Sequence, residues 1–389
     1  MIQRILHNNL AGKAYDHVLI SMGAVEHDAR MLNIAYTLQQ KYSRILLIGL
    51  YTPGWQVSCA DLDADVLLMD NYTYSPMYRL WLGFYRWLHT FGHLLKADSF
   101  WAMDLYVLPF ITSVSKKNNG RSFYDSREIY TALGEASDHH IKQKIISWLE
   151  KRYIRKADKI FTSGVLDSKH LSEIYNMPLP DVIMNLPRFQ SPEKSNLLRE
   201  TFRIPGNKKV LVYQGVIHPG RGLMQAVRAL ASLPDLVLCV LGNGEVFKEE
   251  LSRVASSLGV SDRLFFQKSV PYQELINWTA SADLGLCFIE PLSLSLRYAL
   301  PNKLFEYAMA GIPSIISDLP QMRPYIEKYR CGVVLPADAG IDSFVKHINE
   351  MTKPEIYYQM RQNALTLASD INWEKQQDVV FRIAGAEQK

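Results

Sequence analysis

The stretch from Ala299 to Ser317 constrains this chain most, because it predicts a helix with a defined start and end beside a buried strand. Pro301 suits the first turn of a helix, and Gly311 suits the left-handed residue that ends one. The apolar run Ser314 to Ile316 is typical of a strand buried in a parallel sheet. The sequence therefore predicts a loop, a helix and a strand, with the helix N-terminus facing the loop.

The first turn of this helix predicts an anion site. Helix amides and the helix dipole favour negative charge there. Lys303 places a cation where helix energetics alone would not favour one, and Glu306 follows one turn later. A cation beside a carboxylate that accepts two hydroxyl hydrogen bonds suits a nucleoside diphosphate. The alternative is an ordinary amphipathic helix in which Lys303 and Glu306 are exposed.

Length and composition predict a two-domain globular protein. The chain has 389 residues, of which 48% are hydrophobic and 21% are charged, so each domain can bury its own core. The net charge of +4 is too small to indicate nucleic-acid binding. The sequence contains neither a convincing signal peptide nor an apolar stretch of about 20 residues that would span a membrane. We therefore expect a cytoplasmic protein.

The first half begins like a doubly wound sheet. An apolar run from His17 to Met22 predicts a strand, Asp28 suits the cap of a following helix, and Arg44 to Gly49 predicts the next strand. Ligands of such sheets bind beyond the carboxyl ends of the strands, where Gly23 lies. The loop that follows this first predicted strand has no G-x-G-x-x-G pattern, so dinucleotide binding is not supported.

Two acidic residues follow later strands of this half. Asp104 comes after the predicted strand Ser99 to Met103, and Glu128 comes after the predicted strand Ser122 to Asp125. Asp104 also suits the N-cap of the next helix, so a structural role stays open. Glu128 has no evident packing reason to lie at the end of a strand. Both are candidate cleft residues.

A basic amphipathic helix is predicted over residues 76–97. Its spacing places basic residues within about one third of the circumference, and aromatic and aliphatic residues on the rest. The basic residues are Arg79, Arg86, His89, His93 and Lys96. Such a helix suits the surface of an anionic membrane. The alternative is a helix packed on the sheet with its basic residues in water.

The second half opens with a glycine-rich turn. After the predicted strand Lys208 to Tyr213, a strand-to-helix turn carries Gly215, Gly220 and Gly222. Glycines at such a turn let the backbone approach a phosphate, and Arg221 supplies a planar charged group beside it. The turn is therefore a second candidate anion site.

Together these motifs resemble the retaining, nucleotide-sugar-dependent glycosyltransferases of glycosyl transferases group 1. Glu306, Gly311 and Pro313 match that family's glutamate, glycine and proline, within a subgroup written P-N-K-x-F-E-Y. The resemblance implies a GT-B fold: an α/β protein with two doubly wound Rossmann-like domains facing a central cleft. The implied domains are an acceptor-binding domain at 1–190, a donor-binding domain at 191–370, and a C-terminal helix at 371–389 that crosses back to the first domain.

The resemblance also assigns roles to residues. It implies donor-binding roles for Arg221, Lys303, Glu306, Gly215, Gly222, Asn302, Leu304, Val270, Tyr272 and Gly23. Glu128, Glu290 and Asp104 are the candidate catalytic residues. The chain departs from the common pattern at Tyr298, where a second glutamate is usual, and at Val216, where a basic residue is usual.

The implied function is transfer of a sugar from a UDP- or GDP-linked donor to a hydroxyl acceptor with retention, in bacterial cell-surface polysaccharide or glycolipid assembly. No metal or cofactor is expected. The implied partners are a nucleotide sugar, a hydroxyl acceptor that is lipid-linked in many members, and an anionic membrane bound through helix 76–97. We expect no nucleic-acid partner. The alternatives are a nucleotide-sugar 2-epimerase on the same fold and a non-catalytic sugar- or lipid-carrier-binding protein.

Overall fold

The structure, a computed structural model, describes residues 3–51, 62–70, 72, 77–132, 140–191 and 195–385. The chain divides into two compact units. The first comprises Met1–Met184 and Gln376–Lys389, and the second comprises Asn185–Lys375. Inside the second unit, the Trp373 amide donates to the Pro187 carbonyl at 2.9 Å. This pairing joins the start and the end of the second unit.

The described strands of the first unit form one parallel sheet with the order β1-β4-β3-β2-β5-β6-β7-β8. In β2, Leu19 lies opposite Leu47 of one neighbouring strand and Trp101 of the other. The strand Ile45–Leu50 is buried along its whole length, as expected for a parallel sheet covered on both faces. The strands are β1 Gln3–Arg4, β2 Tyr15–Ala24, β3 Ile45–Leu50, β4 Asp65–Met69, β5 Ala97–Ala102, β6 Arg121–Ser126, β7 Lys159–Thr162 and β8 Asp181–Val182.

Helices connect these strands and cover the sheet. The Asp28 carboxylate accepts a hydrogen bond from the Met31 amide at 2.9 Å, which confirms Asp28 as the predicted cap of the first helix. The helices described in this part of the chain are α1 Ala29–Gln39, α2 Met77–Phe91, α3 Leu108–Asn118, α4 His140–Tyr153 and α5 Val165–Tyr175.

The predicted helix 76–97 is wrong in its extent. Residue 76 lies outside the described residues, and α2 ends at Phe91. The Lys96 carbonyl accepts from the Tyr15 amide at 2.9 Å, because the chain has already joined the sheet there. The apolar side of α2 is core: Leu80, Phe84, Leu88 and Phe91 are buried. No helix in the described part of the chain is long and apolar enough to cross a membrane.

The second unit contains a six-stranded parallel sheet in its described part, with the order β11-β10-β9-β12-β13-β14. Its connections reverse direction between β9 and β12, which is the arrangement of a Rossmann-type doubly wound sheet. The strands are β9 Lys209–Gln214, β10 Leu236–Leu241, β11 Leu264–Gln267, β12 Leu284–Cys287, β13 Ser314–Ser317 and β14 Gly332–Leu335. The helices are α6 Leu197–Phe202, α7 Leu223–Ala229, α8 Glu245–Ser257, α9 Tyr272–Ala280, α10 Leu294–Arg297, α11 Asn302–Met309, α12 Arg323–Tyr329, α13 Ile341–Met351 and α14 Pro354–Asp370.

The last helix, α15 (Gln377–Ala384), belongs to the first unit. Arg382 forms a salt bridge with Asp181 at 2.8 Å, and Lys41 lies over the Phe381 ring at 4.2 Å. Just before the helix, the Gln376 side chain exchanges two hydrogen bonds with the backbone of Met184. The predicted α/β fold, with two doubly wound units and a last helix that returns to the first, is confirmed.

Candidate functional site

The candidate site of the second unit lies at the carboxyl ends of β9 and β12. These strands are adjacent, with Leu211 opposite Leu284, and the chain leaves them in opposite directions across the sheet. Ligands of doubly wound sheets bind at such a switch point. The glycine-rich turn follows β9, and the loop after β12 leads to α11. The topology therefore brings together the two stretches that the sequence marked as anion sites.

The glycine turn allows the backbone to pass very close to its neighbours. Gly222 has a φ of +72°, and a Cβ there would lie 2.7 Å from the Phe288 Cβ. Gly215 has a φ of +124°, and a Cβ there would lie 3.5 Å from Lys303 Nζ. Both positions favour glycine for conformation, and Gly222 favours it for space as well. The Lys303 ammonium thus lies beside the end of β9.

Lys303 and Arg221 form a cationic centre. The Lys303 side chain is half-buried along its length, but its ammonium tip packs 3.9 Å from the centre of the Tyr213 ring. Burial and, to a smaller extent, the nearby charge of Arg221 lower the pKa of Lys303 to about 8, although Cys287 and Glu306 oppose the decrease. Neither residue takes part in a salt bridge within the part of the chain that the structure describes. A desolvated ammonium that forms no salt bridge, beside a second cation, favours an anionic ligand.

Glu306 is held by a chain of buried side chains. Its side chain is buried, with 4% exposed, and burial raises the pKa of Glu306 to about 7. The Gln214 side-chain amide donates to Glu306 Oε2, and the Thr279 hydroxyl donates to Gln214 Oε1 at 2.7 Å. Because Gln214 engages Oε2, the other oxygen, Oε1, remains for a ligand hydroxyl. The alternative of an exposed Glu306 on an amphipathic helix is therefore wrong.

Tyr307 fixes the two strands of the switch point to each other. Its hydroxyl donates to the Leu286 carbonyl at 3.0 Å and accepts from the Gln214 amide at 3.3 Å. A Cβ at Gly285 would lie 2.4 Å from the Tyr307 ring, so glycine makes room for it. Gln214, Thr279 and Tyr307 were missed by the sequence analysis. Of these, Gln214 was detectable, because it is the last residue of a strand that ends at the site.

Glu290 also lies at the glycine turn. Its amide donates to the Gly220 carbonyl at 2.9 Å, and its carboxylate accepts from the Gln225 side chain at 3.1 Å. The structure therefore brings this candidate catalytic residue to the same loop as Arg221. Its catalytic role stays a prediction.

The remaining predicted donor contacts of the second unit lie on elements around Glu306. Asn302 is half-buried at the first position of α11, and Leu304 is buried with its amide donating to Pro301 at 3.2 Å. Val270 lies just before α9, and Tyr272 is its first residue. Burial raises the pKa of Tyr272, and the nearby charge of Glu306 adds a smaller increase. Their donor-binding roles stay predictions.

Asp104 and Gly23 lie at the corresponding switch point of the first unit, between β2 and β5. The Asp104 carboxylate accepts from the Met22 amide at 2.7 Å, the Ser21 hydroxyl at 3.2 Å and the Val107 amide at 3.2 Å. Burial raises the pKa of Asp104, although these hydrogen bonds and a nearby guanidinium oppose the rise. The structural role as a helix cap is confirmed, and the catalytic role stays a prediction.

Glu128 is exposed in the loop after β6, beside a buried ionic cluster. There Arg30 pairs with Asp125 at 2.6 Å, and Arg127 pairs with Asp28 at 2.7 Å. Asp28 and Asp125 raise the pKa of Arg127 against the effect of its burial. The first unit thus holds Gly23, Asp104 and Glu128, and the second unit holds the other predicted residues.

Within the described ranges, no group of three or more His, Cys, Asp or Glu side chains is placed to hold a metal ion. The oxygens and cations at the second switch point suit a ligand that carries hydroxyls and negative charge. The site thus has the position and the chemical groups that suit an anionic, hydroxyl-bearing ligand of a doubly wound domain.

Residues 194–367 match the family model described as glycosyl transferases group 1. The second unit therefore belongs to the glycosyl transferases group 1 family, and the predicted family is confirmed. The matched range includes both the glycine turn and α11.

Two relatives agree with this assignment, and a solved structure shares the fold. The chain is 23% identical over 255 residues to a D-inositol 3-phosphate glycosyltransferase of Mycolicibacterium smegmatis, covering 61% of this chain and 55% of that protein. It is also 33% identical over 97 residues to a GDP-mannose-dependent alpha-(1-6)-phosphatidylinositol monomannoside mannosyltransferase of the same species. That match covers 24% of this chain and 25% of the mannosyltransferase. The chain thus spans about half the length of the first relative. The fold is similar to that of Anabaena Alr3699/HepE in complex with UDP-glucose, with a TM-score of 0.73 and 14% sequence identity. The match covers 95% of this chain and 99% of the HepE chain.

Proposed function

We propose that this protein is a glycosyltransferase that moves a sugar from a UDP- or GDP-linked donor to a hydroxyl acceptor, with retention of anomeric configuration. The observation that carries the proposal is the cationic centre of Arg221 and Lys303 beside buried Glu306, at the switch point of a glycosyl transferases group 1 domain. The cations match a diphosphate, and the carboxylate matches ribose hydroxyls.

In this reaction the bond between the sugar's anomeric carbon and the β-phosphate oxygen breaks, and a bond to the acceptor oxygen forms. Negative charge develops on the departing diphosphate, where Arg221, Lys303 and the N-terminal end of α11 stabilise it. The departing phosphate takes the acceptor proton. Because Arg221 and Lys303 offset the charge of the diphosphate, the proposed reaction requires neither a metal nor a cofactor. Glu128, Glu290 and Asp104 are the carboxylates proposed to assist at the sugar and the acceptor.

The names of the relatives support a nucleotide-sugar donor, because one relative is GDP-mannose-dependent and one similar structure contains UDP-glucose. We place the enzyme in bacterial cell-surface polysaccharide or glycolipid assembly. The acceptor carries a hydroxyl and is lipid-linked, and the enzyme works in the cytoplasm at the inner face of the membrane.

Substitution of the cationic centre and the carboxylate tests this function. Arg221→Ala and Glu306→Ala are each expected to lower sugar transfer by about 100-fold or more, since each removes a charged contact to the donor. Transfer is measured with purified protein, a panel of UDP- and GDP-sugars and an acceptor pool of hydroxyl-bearing glycolipids. The matched controls are Arg253→Ala and Glu249→Ala, which change exposed residues of the same unit and should leave transfer unchanged.

The same assay separates the alternatives. A 2-epimerase would convert the donor when no acceptor is present, and a non-catalytic binding protein would bind the donor without hydrolysing or transferring it. Normal turnover by both site variants would refute the assignment of the site. A thermal-shift panel of nucleotide sugars identifies the donor beforehand, because a bound ligand raises the unfolding temperature by mass action.

A further inference from the structure

Helix α4 of the first unit presents an apolar stripe to solvent. Ile141, Ile145 and Trp148 are 77%, 54% and 60% exposed. At about 100° per residue they lie within roughly one sixth of the helix circumference. A buried stripe with this spacing would be ordinary core, but the core side of α4 is formed by other residues, Ile146 and Leu149. The stripe therefore remains available to a partner.

Cations flank this stripe. Lys142, Lys144, Lys151 and Arg152 are all exposed, and the Arg152 guanidinium lies 6.0 Å from the centre of the Trp148 ring. We call the exposed stripe and these four cations the α4 face.

The only carboxylate within α4 points away from this face. Glu150 is 2% exposed and accepts hydrogen bonds from the hydroxyls of Tyr124 at 2.7 Å and Tyr175 at 2.8 Å. The helix therefore presents apolar and positively charged groups outward, and keeps its negative group in the core. A mixed-charge surface, which is usual for a solvated helix, is not present here.

We propose that the α4 face docks the protein on an anionic lipid surface. Apolar side chains of this size enter the headgroup region of a bilayer, and each Lys or Arg near the surface adds attraction to anionic lipid. A helix of 14 residues is about 21 Å long, so it lies along the membrane rather than across it. This surface differs from the one that the sequence indicated, because the apolar side of α2 is buried.

Charge argues against a second copy of this chain as the occupant. A symmetric contact through the α4 face would bring two sets of exposed cations together without a carboxylate from α4 to offset them. Anionic lipid headgroups offset them directly.

Helix α2 lies on the same side of the first unit as α4. Helix α3 contacts both helices: its Phe110 ring lies 6.5 Å from the Tyr85 ring of α2, and it packs against α4. The three helices therefore lie side by side on one face of the sheet. On its solvent side α2 exposes Tyr78, Leu82 and Arg86.

Vesicle co-sedimentation of the full chain tests the proposal. We expect sedimentation with vesicles of phosphatidylglycerol and phosphatidylcholine, little with phosphatidylcholine alone, and a decrease as salt is raised. The double variant Ile145→Ser with Trp148→Ser should lose most of this binding. A second double variant combines Lys144→Glu with Lys151→Glu. Each of these two charge reversals should weaken vesicle binding at least about fivefold.

The matched control is Arg253→Glu with Lys346→Glu, which makes the same change in charge at exposed positions of the second unit and should bind vesicles like the wild type. Nucleotide-sugar binding is measured on every variant, so that loss of docking is distinguished from loss of folding and from failure of the proposed function. The proposal is overturned if the wild type ignores anionic vesicles, or if both α4 variants sediment as the wild type does. A dimer seen in sedimentation velocity and abolished by Trp148→Ser would instead assign the face to a second copy.

Discussion

At the scale of single residues, the buried chain Thr279–Gln214–Glu306 decides how the carboxylate is presented. The Thr279 hydroxyl orients the Gln214 amide, and the amide in turn donates to Glu306. Thr279 lies on α9 and does not reach the carboxylate itself. It is therefore a positioning residue, and its effect should appear in ligand binding more than in folding.

We predict that Thr279→Val weakens nucleotide-sugar binding about tenfold, because the Gln214 amide loses the partner that orients it. The dissociation constant is measured by titration calorimetry. Thr352→Val is the matched control: the Thr352 hydroxyl lies just after the end of α13 and donates to the Ile348 carbonyl at 2.9 Å. Equal dissociation constants for Thr279→Val and the wild type would contradict the positioning role.

The pKa of Lys303 predicts how donor binding depends on pH. Burial lowers this pKa to about 8, and the charged form, which binds the diphosphate, exists below that value. Below about pH 7, protonation of Glu306 also opposes binding. Above pH 8 the affinity should fall by up to about tenfold per pH unit, because Lys303 loses its charge. Lys303→Arg should remove this loss, since arginine stays charged. Identical pH profiles for the two proteins would show that another group titrates.

At the scale of elements, the glycine turn after β9 is built on backbone geometry. Gly222 leads directly into α7, and its positive φ directs the chain into the helix while the backbone passes Phe288. An ordinary side chain at this position would strain the backbone and also push on a buried ring. The turn therefore couples local conformation to packing.

We predict that Gly222→Ala lowers the free energy of unfolding by about 2–4 kcal/mol, from the positive φ and the crowding together. Gly259→Ala is the control, because Gly259 has a similar φ of +67° and nothing within 4 Å of its Cβ. Its cost should be about 1 kcal/mol. Urea denaturation measures both values. Similar losses in the two variants would mean that the contact with Phe288 costs nothing.

At the scale of the whole molecule, the end of the chain stabilises the unit in which the chain begins. Helix α15 buries Val380, Ile383 and Ala384 in the first unit. This pairing of distant segments makes the first unit's stability depend on residues translated after the entire second unit.

We predict that Ile383→Ala destabilises the first unit by about 2–5 kcal/mol and leaves the second unit unchanged. Hydrogen exchange of amides in β2 and β3 reports on the first unit, and that of β9 and β12 on the second. The exposed residue Val246 supplies the control, since Val246→Ala should change neither. Faster exchange in β9 and β12 of Ile383→Ala would contradict the assignment of α15 to the first unit.

Short-range patterns in the sequence determined the doubly wound fold class, the cap at Asp28, and the stretch around α11. These features depend on neighbouring residues: proline and glycine set the ends of a helix, and apolar runs mark buried strands. The same logic failed for helix 76–97, because amphipathic spacing shows that one side is apolar without showing what covers it. The sheet decided that α2 ends at Phe91, since the chain had to join β5 soon afterwards.

Only the tertiary structure decided that Glu306 and the tip of Lys303 are desolvated, that Thr279 reaches Gln214, and that the apolar stripe of α4 faces solvent. Each fact joins segments that lie far apart in the chain or on different elements. Burial and long-range hydrogen bonds arise when strands and helices pack, and they shift pKa values and orient side chains that the sequence could only list. The residue types came from the sequence, and their chemical state came from the fold.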